Sequence, residues 1–194
     1  METTTVCSTS TVTILACQHI AKTFRESDPT RIITSAESTR PPQHLSIIAD
    51  GNVIKQFPPT SKIVDIVGVN NYAGWYSDKA SVMGDMLDAL HKEAPNRPLI
   101  VTEFGAEGIP GCRSWTMEPW TEDYQSALVA RHLRTILARE WICGFFIWLF
   151  ADYECSSIGI IGINSKGLVD GYRRPKPVFE TVRRILLETE KSEK

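Results

Sequence analysis

Short apolar segments rich in β-branched residues alternate with longer amphipathic segments along most of this 194-residue chain. The short segments are typical of strands buried on both faces of a parallel sheet, and the longer ones are typical of helices. We predict four strands, at 31–35, 63–69, 99–101 and 143–150. We predict one helix that ends near residue 25 and three more that span about 81–93, 121–140 and 177–190. The alternation indicates an α/β fold with a parallel sheet.

Four strand–helix units fill half of a closed α/β barrel. A closed barrel of this kind contains eight units and usually takes about 250 residues. This chain supplies four units, without internal repeats or a second domain. Four parallel strands that stood alone would leave two sheet edges unpaired. We therefore predict an α/β fold that forms half of a (β/α)8 barrel.

The composition excludes several classes of protein. Hydrophobic residues make up 42% of the chain and charged residues 23%, and the formal net charge is −2. This balance of charge does not favour binding to nucleic acid or to an acidic membrane surface. No apolar run is close to the length of about 20 residues that is needed to span a bilayer. The start of the chain lacks the basic region of a signal peptide, and the five cysteines are scattered without metal-site spacing. We expect a cytoplasmic protein with reduced thiols.

A glutamate follows the third predicted strand. Residues 97–108 read Arg-Pro-Leu-Ile-Val-Thr-Glu-Phe-Gly-Ala-Glu-Gly, which puts Glu103 between the strand and the glycines Gly105 and Gly108. Glycines allow the backbone to turn sharply. Because barrel enzymes build their active sites at the carboxyl ends of the strands, Glu103 is a candidate catalytic residue. The alternative is a structural glutamate that caps a helix or forms an ion pair.

Three segments, in this order and spacing, resemble glycoside hydrolase family 2. The sequence Thr-Glu-Phe-Gly-Ala-Glu at 102–107 is similar to the nucleophile segment of that family. The sequence Asp-Ile-Val-Gly-Val-Asn-Asn-Tyr-Ala-Gly-Trp-Tyr at 65–76 precedes it, and Phe-Ile-Trp-Leu-Phe-Ala-Asp at 146–152 follows it. The resemblance implies the carboxyl-terminal half of a TIM-barrel catalytic domain, most like that of the β-glucuronidases.

The resemblance covers the chain from about residue 20 to its end. We assign residues 17–194 to a partial TIM-barrel catalytic domain on this basis. Residues 1–16 have no recognised counterpart, and we expect them to be disordered or to be a start foreign to the family.

The resemblance supplies one of the two carboxylates that a retaining glycoside hydrolase needs. Such an enzyme places a nucleophile and an acid/base group about 5–5.5 Å apart, and the resemblance implies that Glu103 is the nucleophile. The acid/base glutamate of the family lies in an Asn-Glu pair at the end of the fourth barrel strand, and no Asn-Glu occurs here. Without it, cleavage of an ordinary glycoside should be slower by about 10²–10⁴-fold. We expect no metal and no cofactor, because this chemistry runs on carboxylates.

Two further glutamates lie at predicted strand ends. Glu107 follows Glu103 by four residues on the same turn, and Glu37 follows the first predicted strand. We considered each as a substitute acid and expect neither to react. Glu107 is expected to order its loop or to cap the segment that follows.

Polar and aromatic side chains follow the second predicted strand. Asn70, Tyr72 and Tyr76 lie there, and such groups suit the hydroxyls and the flat face of a sugar. The resemblance implies that they line the sugar site and that Tyr72 or Tyr76 hydrogen-bonds the nucleophile. It also implies that Trp148 floors the site, although a core tryptophan is the alternative. Leu149 stands where the family usually has asparagine.

Two other residues of the matching segments are expected to have structural roles. Trp75 is expected to pack under the loop that follows the second strand, and Asp152 is expected to bind loop backbone.

The sequence Asn164-Ser165-Lys166 gives an indication of substrate class. It resembles the Asn-x-Lys motif with which β-glucuronidases recognise a uronic acid, and which the neutral-sugar relatives lack. A lysine offers a compact positive charge to a carboxylate, and an asparagine amide adds a directional donor. The alternative for Lys166 is a solvated loop lysine.

Three functions remain open from the sequence. The first is hydrolysis of β-glucuronides or related carbohydrates by a retaining mechanism, in an enzyme that is a possible homo-oligomer at full length. The second is a truncated, non-catalytic remnant or pseudoenzyme that binds carbohydrate or protein. The third is a specificity like that of the β-galactosidases.

Overall fold

The computed structural model describes residues 11–38, 59–76, 79–155 and 162–192. The predicted loop between the first two strands lies almost wholly outside these ranges. In chain order the helices and strands are α1 (Thr11–Ser27), β1 (Thr34–Ser38), a 3₁₀ turn (Pro59–Lys62), β2 (Ile66–Asn70), α2 (Val82–Glu93), β3 (Leu99–Glu103), α3 (Glu122–Leu137), β4 (Ile142–Phe145), β5 (Tyr153–Glu154), β6 (Ile163–Asn164) and α4 (Pro177–Ser192).

The chain divides into two compact units. The first unit is drawn from Met1–Asn71, Gly84–Thr102 and Trp141–Phe145, and the second from Tyr72–Met83, Glu103–Glu140 and Phe146–Lys194.

A four-stranded sheet in the order β1-β2-β3-β4 organises the first unit. The pairs β1–β2 and β3–β4 are parallel, as predicted. Val67, Val69 and Val101 are completely buried, which is expected of short β-branched strands that are covered on both faces. Gly68 permits the close approach of neighbouring strands, because a Cβ atom there would collide with the carbonyl of Ser35.

Several strand boundaries differ from the prediction, and at two of them the backbone forms hydrogen bonds outside the sheet. β1 begins at Thr34, three residues later than predicted, and Ile33 N instead donates to the Asp65 carboxylate at 2.9 Å. β4 ends at Phe145 and not near residue 150. Beyond it, Trp148 N donates to Phe104 O at 2.9 Å, outside the ladder of the sheet.

The helices agree more closely with the prediction. α3 starts after Thr121, whose hydroxyl accepts a hydrogen bond from Tyr124 N at 3.1 Å and caps the helix. α1 includes the last six of the sixteen residues that have no recognised counterpart. The apolar spacing in the sequence predicts a buried face for each of α2, α3 and α4. The faces are buried except at two positions: Leu137 in α3 is only half-buried, and Leu186 in α4 is exposed. No helix in the described ranges is long and apolar enough to cross a membrane.

The second unit contains α3 and α4, which pack against each other, and a short ribbon. β5 and β6 pair antiparallel, with Tyr153 opposite Asn164 and Glu154 opposite Ile163. This ribbon was not predicted, because strands of two residues carry no periodic pattern.

Candidate functional site

Glu103 is the last residue of β3 and is half-buried. The Tyr72 hydroxyl donates a hydrogen bond of 2.7 Å to its Oε2 atom. Burial, followed by the negative charge of Glu103, raises the pKa of Tyr72 well above its ordinary value. The phenol therefore stays neutral at physiological pH and can act only as a donor to the carboxylate. Of the two tyrosines predicted for this role, Tyr72 makes the contact.

The backbone after Glu103 lies directly against Trp148. Phe104 O accepts the hydrogen bond from Trp148 N, and a Cβ atom on Gly105 would collide with the carbonyl oxygen of Trp148. Gly105 is thus needed for a close approach of two chain segments, whereas we predicted a sharp turn. Trp148 is half-buried, and a cis peptide bond joins it to Leu149.

Glu107 is buried and forms an ion pair with Lys166. The Nζ atom of Lys166 lies 2.9 Å from Glu107 Oε1, and both side chains are only 2% exposed. The other oxygen, Oε2, accepts hydrogen bonds from the Ser165 backbone N–H at 3.2 Å and from the Ser165 hydroxyl at 3.0 Å. Glu107 therefore orders a loop, as expected, and that loop carries the Asn-Ser-Lys sequence.

The Lys166 ammonium lies beside two aromatic rings. It is 5.4 Å from the ring centroid of Trp75 and 5.4 Å from that of Tyr76, within the range of cation–π attraction. Asn164 is buried, and its Oδ1 atom accepts the Lys166 backbone N–H at 3.2 Å. The alternative of a solvated loop lysine is wrong for Lys166. Recognition of a uronic acid by this pair stays a prediction.

The loop after β2 carries a cluster of aromatic side chains. The ring of Tyr76 lies 5.3 Å from that of Tyr72 and 6.2 Å from that of Trp75. Trp75 packs edge-on against Trp120 at 4.8 Å, in line with the packing role expected of it. Because Tyr76 is 42% exposed, its ring extends this cluster toward solvent.

Three residues hold the backbone of the Asn-Ser-Lys loop. Asp152 Oδ1 accepts the Gly167 N–H at 2.7 Å, in agreement with its expected structural role. Lys176 Nζ donates to Ser165 O at 2.7 Å and to Asp152 Oδ1 at 3.2 Å. Gln125 Nε2 donates to Gly167 O at 3.1 Å. Burial raises the pKa of Asp152, and the Lys176 ammonium opposes that rise.

Tyr153 belongs to this group and was missed from the sequence. It lies opposite Asn164 in the β5–β6 ribbon, and its hydroxyl hydrogen-bonds the Asn164 side chain. Burial is the largest cause that raises the pKa of Tyr153, and the charge of Glu103 contributes. In the sequence, the one feature that could have pointed to Tyr153 is its position directly after Asp152, at the end of a matching segment. Its place next to Asn164 arises only from the cross-strand pairing.

Asn70 and Glu37 belong to the first unit. Asn70 is buried at the end of β2, and its Oδ1 atom accepts the Thr102 hydroxyl at 2.6 Å, so it binds the residue that precedes Glu103 in the chain. Glu37 accepts a hydrogen bond from the Thr60 hydroxyl. The other predicted site residues, Glu103, Tyr72, Tyr76, Trp148, Asn164 and Lys166, all belong to the second unit.

A carboxylate at the carboxyl end of a parallel strand is typical of α/β-barrel enzymes, and comparison with known proteins identifies the family. The family model described as "Glycosyl hydrolases family 2, TIM barrel domain" matches residues 11–190. The chain belongs to this family, which confirms the predicted fold class.

Relatives of this chain include two β-glucuronidases and a β-galacturonidase. The β-glucuronidase of Streptococcus agalactiae is 32% identical over 144 residues, which are 66% of this chain and 23% of that protein. The β-glucuronidase of Paenibacillus borealis is 28% identical over 174 residues, 86% of this chain and 26% of that protein. The crystal structure of a β-galacturonidase from Eisenbergiella tayi bound to galacturonate has a TM-score of 0.77 at 27% identity and covers 92% of this chain and 31% of that one. This chain spans about a quarter of the length of the curated relatives it matches.

Proposed function

We propose that this chain carries the nucleophile and the carboxylate-recognising loop of a retaining β-D-glucuronidase, with Glu103 as the nucleophile. The observation that carries the proposal is the hydrogen bond from Tyr72 to Glu103 at the end of β3. A neutral donor on one carboxylate oxygen fixes the orientation of the group for attack.

The reaction proceeds in two displacement steps. Glu103 attacks the anomeric carbon, the bond to the leaving oxygen breaks, and a covalent glycosyl-enzyme forms. Water then attacks the same carbon and releases the sugar with Glu103 restored as a carboxylate. The first step needs a proton for an ordinary leaving oxygen, and the second needs a base for the water.

No residue in the described ranges is an evident source of that proton. Glu107 is the carboxylate nearest to Glu103 in the sequence, but its two oxygens accept hydrogen bonds from Lys166 and Ser165. Together with the absence of an Asn-Glu pair, this supports a chain that supplies the nucleophile without the acid/base group.

The second unit also supports a uronic acid as the substrate sugar. Lys166 brings a fixed cation and Asn164 a buried amide, the pairing that suits a carboxylate. The relatives named above are β-glucuronidases and a β-galacturonidase, whose sugars share that carboxylate. A neutral galactoside has no carboxylate to pair with this cation, so a β-galactosidase-like specificity is the weaker proposal.

Hydrolysis of a dinitrophenyl β-D-glucuronide by the purified chain tests the proposal. Dinitrophenolate leaves without protonation, so the assay does not need the acid/base group. We expect release of the phenol by the wild-type chain and a fall of at least about 10³-fold in Glu103→Gln. Glu118→Gln, an exposed glutamate, is the matched control and should be unchanged. Release that is equal in wild type and Glu103→Gln would contradict the proposal.

A non-catalytic remnant is the second candidate. The absence of an Asn-Glu pair is the observation that favours it. It predicts that the folded chain binds a methyl β-D-glucuronide, detected by ligand-observed NMR, and releases no phenol from the activated substrate.

A further inference from the structure

We propose that Glu107 is a positioning residue that fixes the Lys166 ammonium for recognition of the substrate carboxylate. The inference rests on the proposed uronide specificity and extends it to a residue outside the Asn-Ser-Lys sequence.

The position of the Lys166 ammonium depends on a partner. A lysine side chain is long and flexible, and the ammonium of a side chain that is only 2% exposed loses most of its hydration. The Glu107 carboxylate, 2.9 Å away, is the acceptor that replaces this water. The rings of Trp75 and Tyr76 each lie 5.4 Å from the same ammonium. These three contacts define one position for the charge.

Recognition of the substrate requires that the Lys166 ammonium bind a second carboxylate. An ammonium has three N–H donors, and the described contacts of Lys166 use one of them, to Glu107. A substrate carboxylate would place the cation between two anions, which is favourable as long as the cation remains fixed.

Glu107 also links the nucleophile to the loop that bears Lys166. It lies four residues after Glu103 in one chain segment, and it accepts both donors of Ser165. Lys176 and Asp152 form a second buried ion pair behind the loop, so each buried cation here has a carboxylate partner. The separation between the Glu103 carboxylate and the Lys166 ammonium, which has to match the sugar, is thereby set within one hydrogen-bonded segment.

Removal of the Glu107 charge should therefore harm uronide recognition selectively. In Glu107→Gln the buried ammonium loses its counter-charge, and it is expected to move toward water. A purely structural role would instead weaken binding of charged and neutral sugars alike. Because Glu107 acts through Lys166, its removal should have no further effect once Lys166 is methionine.

The test is a double-mutant cycle on binding, measured by titration calorimetry with the full chain. The ligands are methyl β-D-glucuronide and methyl β-D-glucoside, and the proteins are wild type, Glu107→Gln, Lys166→Met and the double variant. We expect a glucuronide preference in wild type that falls about 10-fold or more in Glu107→Gln, and no additional fall in the double variant relative to Lys166→Met. Glu118→Gln should keep the wild-type preference, and circular dichroism verifies the fold of each protein.

The outcomes separate the two proposals. A wild-type chain without a glucuronide preference contradicts the proposed function, and the inference with it. A wild-type preference that Glu107→Gln leaves unchanged or increases overturns the inference alone. If Glu107→Gln does not fold, Glu107→Asp retains the charge but withdraws it by one methylene, and a preference unchanged in that variant also overturns the inference.

Discussion

The hydroxyl of Tyr72 donates a 2.7 Å hydrogen bond to Glu103 at the end of β3. The donor comes from the loop after β2 and the acceptor from the end of a different strand. Two chain segments 31 residues apart therefore orient one carboxylate.

Removal of the Tyr72 hydroxyl should slow the attack by Glu103. We expect Tyr72→Phe to lower kcat on a dinitrophenyl β-D-glucuronide by about 10-fold, because one hydrogen bond to a charged group is lost. KM should change by less than about 3-fold, since the aromatic ring remains. Steady-state kinetics measure both, with Tyr172→Phe, an 84% exposed tyrosine, as the matched control. An unchanged kcat would show that the contact does not serve the reaction.

Removal of the Lys166 charge should discriminate between uronides and neutral glycosides. We expect Lys166→Met to raise KM for the dinitrophenyl glucuronide by about 10–100-fold, because a charge-assisted bond is lost. KM for the matching glucoside should change by less than about 3-fold. Lys92→Met, on the exposed side of α2, is the control. Equal losses on the two substrates would contradict the assigned specificity.

The Glu107–Lys166 pair should also appear in the free energy of unfolding. Each single removal, Glu107→Gln or Lys166→Met, leaves a buried charge without its partner and should cost about 3–5 kcal/mol. The double variant should lose clearly less than the sum, because no unpaired charge remains. Urea denaturation measures all four proteins. Additive losses would indicate that the two side chains do not depend on each other.

His132 should make stability depend on pH. Its Nε2 atom lies 2.8 Å from Ala73 O, its Nδ1 atom has no partner among the described residues, and burial lowers its pKa from 6.5 to about 4. The unfolded chain therefore binds more protons than the folded chain between these values. Stability is fully present above pH 6.5 and is lost as the pH falls toward 4, by about 3 kcal/mol at about 1.4 kcal/mol per pKa unit.

A histidine replacement that cannot titrate tests this expectation. His132→Gln keeps a donor for Ala73 O and should flatten the change in urea midpoint between pH 6.5 and 4. His91→Gln is the control, because His91 stacks on Trp141 at a different place. This variant should keep the wild-type pH dependence of the urea midpoint. If the urea midpoint changed equally with pH in wild type and in His132→Gln, His132 would not be the cause of the pH dependence.

Much of the fold could be predicted from the sequence. The strands are short and β-branched, and the apolar spacing of α2 places Met83, Met86, Leu87 and Leu90 in the core as predicted. The ends of β1 and β4 could not be predicted, because they are set by hydrogen bonds to distant groups, such as Ile33 to Asp65. The β5–β6 ribbon is too short to give a pattern.

Part of the candidate site could likewise be predicted from the sequence, and part could not. Glu103, Tyr72 and Lys166 were found because they lie in segments that resemble a known family. The pairing of Lys166 with Glu107 joins residues 59 positions apart, and no local pattern reports it. Tyr153 was missed for the same reason, since its nearness to Asn164 arises only from cross-strand pairing.

Covalent trapping would show directly whether Glu103 is the nucleophile. A dinitrophenyl 2-deoxy-2-fluoro-β-D-glucuronide needs no acid to react, and its fluorine slows hydrolysis of the glycosyl-enzyme, so the adduct accumulates. Mass spectrometry of the intact chain and its peptides then locates the sugar. We expect a single adduct on Glu103 that is absent from Glu103→Gln. An adduct on a different carboxylate, or none on the folded wild-type chain, would contradict it.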